Sequence, residues 1–541
     1  MSTTPHGLTG ALGRGWAGTG GAVTHRSPPT VGGMVRRVPV SRATYVAATV
    51  AFVAWLPFLR TPLESDEAGF LLLARQWEDG SSLYGEHWVD RPPLLIWIFR
   101  LASLLGPLDL EPDGAVAPAV RLVGAAASVA SVLLAGRLAT RGLGAEPSRW
   151  TARIVPLLAT ALLSSPLLGM PATNGELLSV PFTLLGVLLL LSALEEVGRP
   201  ERSGGRRAAV LAAGAGAAAA GAALIKQNMV DVVVLAVVLL PLSAGRVPRV
   251  GRLAAAFATG AVTAVGAVLA VSAPRGTSPA ALWDAVVVFR LDAAAVIGAE
   301  APPATSYRMV LVALAFLASG AALTLLTTGF LAARTAIRHG PRAAPLPVAA
   351  LAMAAWEVLG VAAGGSYWLH YLTGLVPGVV LLACLVHPHG RRRIVVVGCL
   401  VATAVTCLAV WVHTIGAPVT ATLARDAEVA AYLRERSRPG DGVVVAFGRP
   451  DIVAASGLAS PYEHLWSLPV RVRDPELSEL QSVLEGPDAP RWIVVAGRGV
   501  ASWGIDAVRV QAHLEEHYVR VARFEELRVW ERARLRASDR E

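Results

Sequence analysis

The chain has 541 residues, 54% of them hydrophobic and only 16% charged, with a mean hydropathy of +0.54. Soluble domains carry roughly a quarter charged residues, so the composition excludes a soluble globular class and points to an integral membrane protein. The formal net charge of +9 comes largely from arginines clustered between apolar runs, where they set topology; a nucleic-acid partner is excluded.

Residues 1–42 are rich in Gly, Thr, Ser and Pro and lack an apolar period, which predicts a disordered cytoplasmic tail. Residues 43–415 read as an all-α polytopic membrane domain. Its first apolar run, 43–59, has no small-residue cleavage site after it and is expected to stay as a signal anchor. Further spans are expected near 117–136, 154–170, 177–194, 208–225, 229–243, 253–272, 308–331, 345–363, 367–386 and 394–413. That makes about 11 transmembrane helices, each of about 20 residues.

Basic clusters occupy alternate connections: Arg137, Arg141, Arg149 and Arg153; Arg199, Arg202, Arg206 and Arg207; Arg246, Arg249 and Arg252; Arg334, Arg338 and Arg342; Arg391, Arg392 and Arg393. All fall on the side of the N-terminus, which the positive-inside rule makes cytoplasmic. The chain is thus expected as a multi-pass protein of the cytoplasmic membrane. Outside lie 60–116, the turn at Asn174–Glu176, the turn at Lys226–Asn228, the loop 273–306 and everything after 414.

Residues 416–541 have ordinary charge density. RDAEVAAYLRER, 475–485 and 506–516 read as helices, VVVAFG and WIVVAG as strands, and YVRVARFEELRVWER as a closing hairpin. The alternation predicts a small C-terminal extracytoplasmic α/β domain. It has no GxGxxG or P-loop spacing, so no nucleotide site is indicated. Cys384, Cys399 and Cys407 sit in or beside apolar runs without metal-ligand spacing and read as core residues.

Chemistry concentrates in residues 61–97, which hold Glu64, Asp66, Glu67, Glu78, Asp79, Glu86 and Asp90. A solvated connector would look the same. If 66–78 is helical, however, Asp66 and Glu67 sit at its N-terminus, a position that favours ionised carboxylates, and its apolar side can lie in the membrane interface. A carboxylate there suits general-base work on a hydroxyl; helix capping by Ser65 or Asp66 is the plainer alternative. Arg91 precedes Pro92-Pro93, which hold it extended before an apolar helix. A guanidinium so placed suits a headgroup phosphate, or simply snorkels. Lys226 is the only lysine in a chain whose other basic residues are arginines. Glu357 lies inside an apolar run, where an ionisable group faces protein or a water-filled cavity.

The Asp66-Glu67 pair beyond a first span, the aromatic-containing helix, Tyr84-Gly85 and the Arg91-Pro-Pro-Leu element resemble the first external loop of membrane glycosyltransferases of the GT-C fold. The likeness is to the protein O-mannosyltransferase and lipid A aminoarabinose transferase group, glycosyltransferase family 39. Asn174-Gly175-Glu176, Leu224-Ile225-Lys226, SYWLHYLTGLVPGVVLLA (366–383) and the tail with GDGVVVAFGRPDIVAASG are similar to later elements of that group. Where Arg91 stands the family commonly has Lys, and it has a basic residue near His370.

The resemblance implies inverting transfer of a hexosyl or pentosyl unit from a polyprenyl-phosphate sugar donor to a hydroxyl on a protein, lipid or cell-envelope glycan. It makes Asp66 the base and Glu67 its support. Arg91, Glu176, Lys226, His370 and Tyr371 become substrate- or donor-binding residues, and the loop 273–306, stopped by two prolines after Ala301, a cover for the donor cavity. No cofactor or dedicated metal cage is implied, although carboxylates beside phosphate are compatible with a divalent cation. Two other classes accommodate the same topology: a lipid or glycolipid transporter or flippase, which predicts inverted repeats that the sequence lacks, and a non-catalytic GT-C-like scaffold.

Overall fold

A computed structural model describes residues 40–78, 80–104, 118–141, 143, 148–197, 204–299, 303–386, 391–417, 420–501 and 505–533. Nearly all of the expected N-terminal tail, Arg199, Arg202 and the first of the two prolines lie outside the described residues.

The membrane part runs through α1 (Arg42–Val53), α2 (Ser65–Glu78), α3 (Pro93–Leu104), α4 (Pro118–Ala139), α5 (Thr151–Leu163), α6 (Gly175–Val197), α7 (Gly204–Ile225), α8 (Asp231–Ser243) and α9 (Val250–Ser272). It continues with α10 (Pro279–Trp283), α11 (Phe289–Ala299), α12 (Pro303–Ala318), α13 (Ala321–His339), α14 (Pro345–Ala362), α15 (Val376–Leu385) and α16 (Arg391–Gly416). Each expected span overlaps apolar helix, although 308–331 is divided between α12 and α13 and 367–386 holds α15 only in its second half. Only six of the described helices are long and apolar enough to cross a bilayer alone, or seven if α12 and α13, bent by 64°, form one span.

The other apolar helices are shorter, and two of them carry an internal proline. Pro156 interrupts α5 and Pro241 sits in the last turn of α8, each helix having 13 residues. Thirteen residues at 1.5 Å each reach about 20 Å, less than the ~30 Å hydrocarbon core. An internal proline removes one backbone donor and crowds the preceding turn.

Close packing between spans uses small residues. A Cβ on Gly216 of α7 would lie 1.8 Å from the Phe257 carbonyl oxygen of α9, and one on Gly260 would lie 1.9 Å from that of Ala213. Only glycine lets these backbones meet, the usual basis of helix association where lipid removes the hydrophobic drive. Glu357 of α14 accepts the Gly378 N–H of α15 at 2.8 Å and 3.0 Å and lies against Asp231 of α8. It joins three helices and stands apart from the polar groups at the external loops.

The C-terminal part comprises α17 (Ala421–Arg436), β1 (Val443–Ala446), α18 (Pro450–Ser456), α19 (Ser467–Arg473), α20 (Ser478–Glu485), β2 (Trp492–Ala496), α21 (Val508–His517), β3 (Tyr518–Phe524) and β4 (Leu527–Arg532). The sheet order is β1-β2-β4-β3, with β1 and β2 parallel and the other pairs antiparallel. The two expected strand runs are β1 and β2, and β3–β4 is the expected hairpin. One sheet face and the helices on it bury Val444, Ile493, Val495, Leu480, Val510 and Leu514.

Candidate active site

The candidate site gathers where α2, the turn before α3, the N-terminus of α6, the turn after α7, α11 and the two-turn 3-10 segment Leu369–Leu375 meet one another and Trp466 of the C-terminal part.

At the start of α2, Glu67 reaches back to accept the Glu64 N–H at 3.0 Å, the carboxylate half of a capping box. Ser65 does not cap; its hydroxyl donates to Asp451 of α18 at 2.5 Å. Asp66 turns the other way and accepts the indole N–H of Trp466 at 2.9 Å. Trp466 packs on Phe70 at 5.9 Å between ring centroids and lies over Gly69, where a Cβ would meet the indole at 2.2 Å.

Glu67 differs from the expectation that it supports Asp66 directly. It is 1% exposed and ion-paired with Arg121 of α4. The oxygen facing Arg121 also accepts the Thr173 N–H at 2.7 Å. Arg121 further donates to the carbonyls of Pro171 at 2.7 Å and Pro62 at 3.0 Å. Glu67 therefore ties the first external loop to α4 and to the loop before α6. Arg121 escapes the reading of external loops because it lies inside a span, though a lone arginine in an apolar run is itself a signal.

The turn after α2 places Asp90 and Arg91 together. Arg91 donates to Asp90 at 2.6 Å, and Arg290 of α11 pairs with the other Asp90 oxygen. Tyr84 donates to the Arg91 carbonyl at 3.1 Å, and Gln227 to that of Asp90 at 3.1 Å, joining this turn to the one after α7. Burial pushes the Asp90 carboxyl up, but Arg290 and then Arg91 outweigh it and hold it below the ordinary carboxylate range. Burial likewise disfavours the Arg91 charge; Asp90 and Asp66 more than offset that and raise its pKa.

Asn174 caps α6 by accepting the Leu177 N–H at 2.9 Å, which fixes Glu176 in the first turn. Lys226 lies across Gly175, where a Cβ would stand 3.3 Å from the lysine Cδ, and its ammonium pairs with Glu176. The same ammonium is 4.6 Å from the centre of the Tyr371 ring. His370 Nε2 is 3.9 Å from the second Glu176 oxygen, and its ring meets Tyr371 edge-on at 5.2 Å.

Asp66, Arg91, Glu176, Lys226, His370 and Tyr371 thus form one polar cluster, and Asp66 lies within electrostatic reach of Arg91, His370 and Tyr371. Asp90, Arg290 and Trp466 join it. Arg290 arrives because α11 buries Phe289 against Trp88 at 4.7 Å, turning the next residue toward Asp90. Trp466 comes from the C-terminal part of the chain, 400 positions from Asp66, and nothing in its local sequence marks it. The arrangement offers a carboxylate opposite three cations, suited to a hydroxyl nucleophile on one side and a phosphate on the other.

No family model and no curated protein matches the sequence. Among solved structures, the apo crystal structure of the Archaeoglobus fulgidus oligosaccharyltransferase is similar with a TM-score of 0.56 and 11% identity, over 84% of this chain and 69% of that one. A structure of that organism's oligosaccharyltransferase AglB with an inhibitory peptide and a dolichol-phosphate gives 0.49 at 11% identity over the same shares. Arabinosyltransferase EmbB from Mycobacterium smegmatis gives 0.40 at 14% identity over 78% of this chain and 41% of that one. At 11% identity the first likeness speaks to architecture alone: the chain shares the fold of that oligosaccharyltransferase over most of its length.

Proposed function

We propose that the protein is a membrane glycosyltransferase that moves a sugar from a polyprenyl-phosphate donor to a hydroxyl acceptor at the outer face of the cytoplasmic membrane. The observation carrying this reading is that Arg91, within electrostatic reach of Asp66, is also within reach of Lys226 and Arg290, so that cations from three separate segments gather on one side of the carboxylate's neighbourhood. Positive-inside topology puts the N-terminus in the cytoplasm and this cluster, with the C-terminal domain, outside.

In the reaction the acceptor oxygen attacks the anomeric carbon from the face opposite the phosphate. The new glycosidic bond forms as the bond from that carbon to the phosphate oxygen breaks, inverting the centre. Asp66 takes the hydroxyl proton, and the electron pair leaves with the polyprenyl phosphate. Arg91 and Lys226 stabilise that departing charge, already in place before it develops. Glu176 orients Lys226 and reaches sugar or acceptor hydroxyls, while Tyr371 and His370 wall the donor side. Glu67 acts through position, by fixing the N-terminus of α2. Carboxylates next to phosphate accommodate a divalent ion, and no step above requires one.

Membranes carrying wild type or Asp66→Asn, supplied with radiolabelled polyprenyl-phosphate sugars and cell-envelope acceptors, test this. Wild type is expected to transfer label, and the variant to lose the roughly 10²–10⁴-fold that a general base contributes. Transfer at the wild-type rate in Asp66→Asn removes Asp66 from the role of base.

A further inference from the structure

We propose that Glu463, His464 and Glu479 of the C-terminal domain form a divalent-metal site of the Zn²⁺ class, separate from the Asp66 cluster. His464 lies between α18 and α19 with its side chain 1% exposed, and neither ring nitrogen has a hydrogen-bond partner. A buried imidazole left so is costly. Its Nε2 points at two carboxylates, 3.3 Å from Glu463 Oε1 and 3.4 Å from Glu479 Oε2, and the three ligand atoms lie within 4.8 Å of one another.

Those two separations are the ones a metal sets. Ligands held tetrahedrally at ~2.0–2.1 Å from Zn²⁺ stand about 3.4 Å apart. One imidazole and two carboxylates suit Zn²⁺ or Mn²⁺; the absence of thiolate disfavours Cu⁺, and Ca²⁺ and Mg²⁺ prefer oxygen alone. Three protein ligands leave a fourth position for water.

The surrounding charge agrees. Asp474 adds a third carboxylate, spent on the Tyr462 hydroxyl at 2.9 Å and the N–H groups of Glu479 and Leu480 at 3.1 Å, so it steadies the first turn of α20, which carries Glu479. The adjoining cation, Arg473, is drawn off to Asp284 of the external loop at 2.5 Å. Glu463 and Glu479 are 39% and 53% exposed, which leaves an entry path for the ion.

The site's place in the fold gives it a consequence. The Glu463 carbonyl accepts the Trp88 N–H at 3.0 Å, and Trp466, two residues beyond His464, donates to Asp66. A metal here fixes the segment that seats the C-terminal domain on the first external loop.

The full chain in detergent, stripped with chelator and titrated with Zn²⁺, and with Co²⁺ as a spectroscopic probe, decides the matter. Wild type is expected to take up one Zn²⁺ per chain and to give the strong visible Co²⁺ absorption of a tetrahedral site. His464→Ala and Glu479→Gln are expected to weaken uptake by more than the ~10–100-fold that losing an outer partner of a ligand costs. Asp66→Asn should bind as wild type does, so the outcome is independent of glycosyl transfer. Glu479 is half-exposed, so its variant keeps the test decisive if His464→Ala does not fold. No uptake by wild type, or equal uptake by wild type and Glu479→Gln, overturns the site.

Discussion

The indole N–H of Trp466 reaches the Asp66 carboxylate across 2.9 Å from a residue 400 positions away in sequence. The proposed base is therefore held by a residue from the C-terminal part of the chain. Trp466→Phe keeps a ring over Gly69 and removes only the donor. A hydrogen bond to a charged group is worth about 1.5–3 kcal/mol, so loss of orientation should lower kcat by roughly 10–100-fold while leaving the melting temperature close to wild type. Steady-state transfer assays and thermal unfolding on one preparation check this; an unchanged kcat assigns Trp466 to packing alone.

Neighbouring acids should behave oppositely. Glu67 and Arg121 are both 1% exposed, and removing either leaves the other charged and buried. Such breakage costs about 3–5 kcal/mol, so Glu67→Ala should unfold far below wild type or fail to accumulate. Asp66→Asn, which still accepts from Trp466, should be within about 1 kcal/mol of wild-type stability while transferring roughly 10²–10⁴-fold more slowly. Unfolding midpoints in detergent separate the two. Equal stability of Glu67→Ala and wild type would remove the anchoring role.

Burial, followed by the Asp426 charge, pushes Asp451 from 3.8 to about 6, against the hydrogen bond from Ser65. A folded-state pKa above the unfolded one means that stability is fully present below about pH 4 and falls as pH rises through 6. At 1.36 kcal/mol per unit the loss is about 3 kcal/mol at most. Asp451→Asn keeps an acceptor for Ser65 and cannot ionise, so it should stabilise the protein at neutral pH and flatten the profile between pH 4 and 7. Thermal melts across that range check it, and parallel profiles for variant and wild type refute it.

The helical character of the chain and the grouping of several candidate residues were legible because hydropathy and charge leave a strong trace. Arginine clusters mark one side, and the groups facing away from them, Asp66, Arg91, Glu176 and Lys226, are among those the fold brings together. Other features were hidden for physical reasons. Hydropathy alone counts α5 and α8, of 13 residues each, as full crossings. Asp90 looked like one acid in a connector, since its two arginine partners come from the next residue and from a loop some 200 positions on. The resemblance makes Glu67 the support of Asp66, but consecutive helical residues point about 100° apart. Trp466 could not be found from periodicity or charge.

A Cβ at position 378 would stand 2.1 Å from Glu357 Oε2. Gly378→Ala should destabilise the α14–α15 contact by about 1–3 kcal/mol, the range for overpacked cores. Glu357→Ala in the same chain removes the clash, so a double-mutant cycle should show strong coupling. Simple additivity would mean that the close approach of Glu357 and Gly378 is not real.

Lys226 offers the sharpest test of donor recognition. Its ammonium is shared between Glu176 and the face of Tyr371, and its Cδ runs over Gly175, so the side chain is held along its length. Replacement by Arg brings a wider planar head into that passage and should not restore function. Lys226→Ala should raise the donor KM and lower kcat/KM for donor at least tenfold, each tenfold being 1.36 kcal/mol of lost stabilisation, with the acceptor KM little changed. Part of that loss would arise from leaving Glu176 buried without its cation. The double variant Lys226→Ala, Glu176→Gln separates the two effects: recovered folding with donor use still impaired assigns Lys226 to phosphate, whereas recovery of both assigns it to holding Glu176. Equal donor saturation in Lys226→Ala and wild type would sink the donor role.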